Sequence, residues 1–78
     1  MGDPHAAIWS TLDRLAEDGG VSRSGLARAA GLDATSFNPS KRIGAAGNKR
    51  WPSTETIAAV LAVSGMSWEE FGREVDRA

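Results

Sequence analysis

The sequence predicts an all-α fold, five short helices closing around one small core. Apolar residues recur at three- and four-residue spacing in segments opened by Ser or Asp and closed by Gly. No stretch alternates apolar and polar residues over the length of a strand. With 78 residues and 41 % apolar content, the chain supports one core, one domain over residues 1–78, and room for a single site.

The first helix starts at Asp3-Pro4, a capping residue followed by proline at the first helical position. Ile8, Leu12 and Leu15 form its apolar stripe with Trp9 and Ala16 beside them, and Gly19-Gly20 ends it. Ser22 caps a second helix through Leu26, Ala27 and Ala30, which stops where Gly31 can turn left-handed. Asp33 caps a third. "IGAAGNKRWP" then reads as a loop, because Gly44, Gly47 and Asn48 favour turns. Ser53 caps a fourth helix, with Glu55 in its first turn and Ile57, Val60 and Leu61 as its stripe, closed by Ser64-Gly65. Ser67 and Glu70 stand at capping-box spacing and open a fifth, with Trp68, Phe71 and Val75 on one face. In so short a chain the tryptophans read as core.

Composition removes several function classes. Cysteine is absent, so neither a disulfide framework nor a cysteine-rich zinc site staples the fold. No apolar run approaches the roughly 20 residues of a membrane span, and "MGDPHAAIW" lacks the basic start and apolar stretch of a secretion signal. The expectation is a cytoplasmic domain. The one histidine, His5, lies near the terminus, and there is no Gly-rich phosphate loop, metal-ligand cluster or recognisable nucleophile setting. Neither enzymatic activity nor a cofactor is expected.

A net charge of −1 and a pI of about 5.7 count against nucleic-acid binding. The distribution of charge points the other way. Between Ala34 and Thr54 stand Lys41, Arg42, Lys49 and Arg50 with no acidic residue, while Asp3, Asp13, Glu17, Asp18, Glu69, Glu70, Glu74 and Asp76 lie towards the two ends.

The most informative stretch is "GLARAAGLDATSFNPSKR". Two short helices joined by a tight turn with glycine at its start form a helix-turn-helix, a unit that can set its second helix in the DNA major groove. Here Ala27 is small where the helices approach, Gly31 permits the reversal, and Leu26, Leu32 and Phe37 anchor both helices to a core. Pro39 interrupts the second. It lacks a backbone donor and would crowd the carbonyl of Thr35, a cost of about 3 kcal/mol in a regular helix interior. Asn38-Pro39 also spells a new cap with proline at the first position, so the element is expected to stop and restart, bent, at Pro39.

"SRSGLARAAGLDATSFNPSKR" followed by "RWPSTETIAAVLAVSGMSWEEF" resembles the N-terminal DNA-binding domain of Cro/CI-type repressors, closest to those with a LexA-like self-cleaving peptidase domain behind it. The likeness covers about residues 5–75 and departs from the general motif at Pro39 and at Ser40, where an apolar residue is usual. It implies a five-helix fold with the helix-turn-helix in helices two and three, and a bacterial or phage transcriptional regulator, a repressor, located with the nucleoid. It also implies a longer protein, with any catalytic Ser and Lys beyond Ala78, that dimerises on an inverted-repeat operator in double-stranded DNA. This chain alone, with no heptad seam, is expected to be mainly monomeric off DNA.

By position in such domains, Ala34, Thr35, Ser36, Asn38 and Arg42 are the candidate base readers. Asn pairs bidentately with adenine and Arg with guanine, and the methyl groups of Ala34 and Thr35 suit thymine. Lys41, Lys49 and Arg50 are the candidate phosphate binders, joined by Ser22, Arg23, Ser53 and Thr54 at the starts of helices two and four. The competing expectation is a helical protein-interaction module, an adaptor or an antitoxin-like partner, using acidic Glu69, Glu70, Glu74 and Asp76 on the last helix.

Overall fold

The computed structural model describes residues 3–78. Four α-helices are present among them: α1 (Pro4–Asp18), α2 (Arg23–Ala29), α3 (Thr54–Ser64) and α4 (Trp68–Arg77). Their boundaries follow local chemistry. Asp3 accepts from the His5 amide, Ser22 from Gly25, Ser53 from Thr56, and Ser67 and Glu70 cap each other's backbone reciprocally. Gly65 ends α3 in the left-handed conformation at φ +68°, and Gly31, at φ +75°, reverses the chain after α2.

Helix α1 packs on both α2 and α4, and α2 packs on α3. The core comprises Trp9, Leu12 and Ala16 from α1, Leu26 and Ala27 from α2, Phe37 from the segment that follows α2, Val60 and Leu61 from α3, and Phe71 from α4. Ala27 is completely buried, the place where a larger side chain would force the helices apart. Leu32 and Ile57 pack against this core from its margin.

The fold is all-helical, with four α-helices rather than the expected five. The segment after Asp33 is not a regular helix, and the reason lies in Pro39. Asp33 does cap it: the Thr35 amide and hydroxyl both donate to Asp33 Oδ1, at 2.8 and 2.6 Å. One turn later the chain breaks. Asn38 is extended at φ −63°, ψ 143°, as steric crowding demands of a residue preceding proline. Pro39 has no N–H to offer the Thr35 carbonyl, which instead accepts from Asn38 at 3.1 Å. Pro39–Lys41 then form a single 3-10 turn, restarting at Pro39 without a side-chain cap from Asn38.

The expected loop has internal structure. The Arg50 amide donates to the Arg42 carbonyl at 2.9 Å, Gly44 donates to Asn48 at 2.6 Å, and Ile43 and Lys49 form an isolated antiparallel bridge. A small hairpin results, its tip formed by a 3-10 turn over Ala45–Gly47 with Ala46 at φ +60°. Of the tryptophans only Trp9 is core; Trp51 and Trp68 are 54 % and 52 % exposed. No helix among the described residues is long and apolar enough to cross a membrane.

Candidate functional site

The acid-free segment folds around one open cleft of about 420 Å³. Ser36 and Lys41 come from the broken element after α2; Arg50, Trp51 and Pro52 come from the outgoing arm of the hairpin. Ser53 and Thr56 come from the start of α3, and Trp9 closes the site from α1. Lys41 and Arg50, although nine residues apart in sequence, therefore face one space. Neither has a carboxylate within ion-pair distance among the described residues.

Arg42 occupies a different role from the one expected. Its guanidinium forms a fork on Asp13, Nη1 to Oδ2 at 2.9 Å and Nη2 to Oδ1 at 2.6 Å, while Nη2 also donates to the Phe37 carbonyl at 2.8 Å. It lies over the Trp9 ring, 4.9 Å from its centroid, with the side chain only 15 % exposed. A guanidinium committed to a carboxylate, a carbonyl and an aromatic face is not free to read a base edge. The bend at Pro39 turns Arg42 inward to tie the broken element to α1, and Arg42 is thus a structural residue. Its Nε is buried with no hydrogen-bond partner among the described residues, a further cost of that placement.

The remaining candidate base readers stay on the broken element. Thr35 is exposed with its hydroxyl held by Asp33, so its methyl group is what it offers; Ala34, Ser36 and Asn38 are half-buried. Among the candidate phosphate binders, Arg23 is held by Asp13 at 2.9 Å and Lys49 by Asp3 at 3.1 Å, both across exposed ion pairs. Ser22 spends its oxygen on the cap of α2. Ser53 caps α3 in the same way, at 3.0 Å from the Thr56 amide, and still lines the cleft; Thr54 is exposed at the first position of that helix. Ser36, Lys41, Arg50 and Ser53 are thus brought together, while Ser22, Arg23 and Lys49 do not line the cleft.

Asp13 sits between two guanidinium groups. Burial raises its pKa, but hydrogen bonds from Arg42 and Arg23 outweigh that and hold it below its ordinary value of 3.8. Asp33 is likewise lowered, first by the Thr35 hydroxyl and then by the Thr35 amide, so a carboxylate stands at the start of the broken element.

Two residues have parts that their sequence positions concealed. His5 belongs to α1 and is buried at 6 % exposure, its Nε2 lying 3.0 Å from the Arg42 carbonyl and 2.8 Å from the Arg50 carbonyl. With Nε2 protonated it donates to both and clamps the two stems of the hairpin, while Trp9 Nε1 donates to the Arg50 carbonyl at 3.0 Å. The signal was present: residues 5, 9, 12 and 16 recur on one face of a helix. Trp51, the second, stands edge-to-face on His5 with ring centroids 5.2 Å apart.

Comparison of the chain with protein-family models, with curated proteins and with solved structures returns no match, so its own residues carry the functional reading.

Proposed function

We propose that this chain is a sequence-specific DNA-binding module of a transcriptional regulator of the repressor type. The observation that supports it is the cleft. On a chain of net charge −1, it gathers two cations without carboxylate partners among the described residues, Lys41 and Arg50, beside hydroxyl groups and the start of α3. Open cationic groups next to a helix N-terminus suit phosphates on both charge and hydrogen bonding. Lys41, Arg50, Ser53 and Thr54 hold the backbone in this reading. Ala34, Thr35, Ser36 and Asn38 meet base edges in the major groove from a bent element in place of a straight recognition helix. Lys49 joins them when it exchanges Asp3 for a phosphate. In a full-length protein two such modules bind an inverted repeat as a dimer, each reading half the site.

A second reading draws on a different surface. An apolar groove of about 480 Å³ runs between the end of α1, α2 and the end of α3, lined by Leu15, Val21, Leu26, Val63 and Met66 among others. It suits an adaptor or antitoxin-like module that binds another protein.

A mobility shift against fragmented genomic DNA separates the two. The DNA reading expects discrete retarded fragments with the wild-type chain and their loss in the Lys41→Ala/Arg50→Ala double variant. Absence of any retarded fragment at micromolar protein and low salt would defeat it and leave the apolar groove as the better guide.

A further inference from the structure

Trp51 and Trp68 are exposed to the same degree, 54 % and 52 %, but their settings differ. Trp68 opens α4 immediately before Glu69 and Glu70, in acidic surroundings. Trp51 lies in the cationic cleft with Lys41 and Arg50, and its ring is held in place by His5 at an interplanar angle of 81°. Pro52 follows it and restricts its backbone. The indole N–H of Trp51 donates to no acceptor among the described residues.

A rigid apolar face sharing one cleft with two open cations has a natural counterpart on duplex DNA. The outer edge of each strand alternates phosphates with the apolar face of deoxyribose, and the bases are stacked out of reach of a side chain lying across the backbone. We propose that Trp51 is a DNA-backbone contact, its indole packing on a deoxyribose whose flanking phosphates meet Lys41 and Arg50. The inference rests on the DNA reading and adds to it a contact that carries no charge and no base preference.

That combination sets the test. Binding to a labelled short duplex of random sequence is followed by fluorescence anisotropy across a salt series, for wild type and for Trp51→Ala, Trp51→Phe and Trp68→Ala. Trp51→Ala should weaken binding about tenfold, a value set by the apolar area of one indole, while the salt slope stays unchanged because no cation is removed. Trp51→Phe should recover part of the loss, and Trp68→Ala should remain within about twofold of wild type. Should Trp51→Ala unfold, the Trp68→Phe chain supplies the second measurement. Trp9 lines the same cleft, so the response assigned to Trp51 is the part of the emission change that disappears when Trp51→Phe is added to that chain.

Wild type that binds while Trp51→Ala equals it, or emission that does not respond to bound duplex, overturns the contact and leaves the DNA reading standing. A flattened salt slope in Trp51→Ala overturns it too, since Trp51 would then only position the cations. Tighter binding to a single-stranded oligonucleotide than to duplex overturns it in favour of base stacking. Wild type that binds no duplex at all removes the DNA reading and this contact together.

Discussion

Helix α4 and the segment from Ala34 to Thr54 both carry several charges, and they dispose of them in opposite ways. In α4, Arg73 pairs with Glu69 one turn away and Arg77 with Glu74, while Glu74 also receives Arg14 from α1. The helix is capped at its start by a complete reciprocal box. In the central segment there is no acid to pair with, and the chain has to reach elsewhere for one. Arg42 finds Asp13 and Lys49 finds Asp3; Lys41 and Arg50 find none among the described residues. The contrast teaches that net charge is a poor guide to partners in so small a chain. With four acids to two bases, α4 keeps a negative balance that lowers the total, whereas two open cations gathered in one cleft set the local field there.

The comparison is broken most forcefully at Arg42, the one basic residue of the segment that is turned inward. Arg42→Ala should cost about 3 kcal/mol in chemical denaturation, the low end for removing one partner of a buried pair because Asp13 retains some exposure. Arg42→Lys should recover little, since a single ammonium cannot reproduce the fork on Asp13. If Arg42→Ala instead kept full stability and changed only base preference, the inward assignment would be wrong. Asn38→Ala addresses the base-reading side of the same element. It should lose about 1 to 3 kcal/mol on the operator and little on random DNA, read from paired titrations.

How much of this was legible in the sequence depends on how local the cause was. The caps expected at the four α-helix starts formed, because Asp3-Pro4, Ser22, Ser53 and Ser67 with Glu70 each act within one turn, whereas Asn38 makes no side-chain cap at Pro39. The restart at Pro39 was legible for the same reason. Its consequence was not: removing a regular third helix redirects Arg42 by an amount that depends on where Asp13, 29 residues earlier, has been placed by α1. The hairpin escaped notice because its stems are held by Arg42, Arg50 and the distant His5, and a bridge of one residue pair leaves no periodicity to read. Likewise, counting apolar residues put all three tryptophans in the core, yet only Trp9 falls on a buried stripe.

Acid sharpens the contrast through Asp13. Its folded pKa lies below 3.8, so its ion pairs stabilise fully above that value and their contribution is lost as pH falls through the folded pKa. Thermal midpoints measured over descending pH should therefore be steady in this respect above about pH 4 and fall below it, and the fall should be shallower in Asp13→Asn. The smallest effect is expected in α4. Arg73→Ala removes an exposed pair one turn apart and should shift stability by less than about 0.5 kcal/mol, with duplex binding unchanged. A marked loss of DNA binding there would mean that α4, and not the cleft, faces the nucleic acid.

The central claim, that two open cations in the cleft meet phosphates, is tested most directly by the salt dependence of duplex binding. For wild type, log affinity against log salt should fall with a slope near −3, roughly −0.9 for each phosphate neutralised. In the Lys41→Ala/Arg50→Ala double variant the slope should shrink by about two phosphates' worth, with circular dichroism unchanged. A flat wild-type slope, or a double variant whose slope equals that of wild type, would contradict the account.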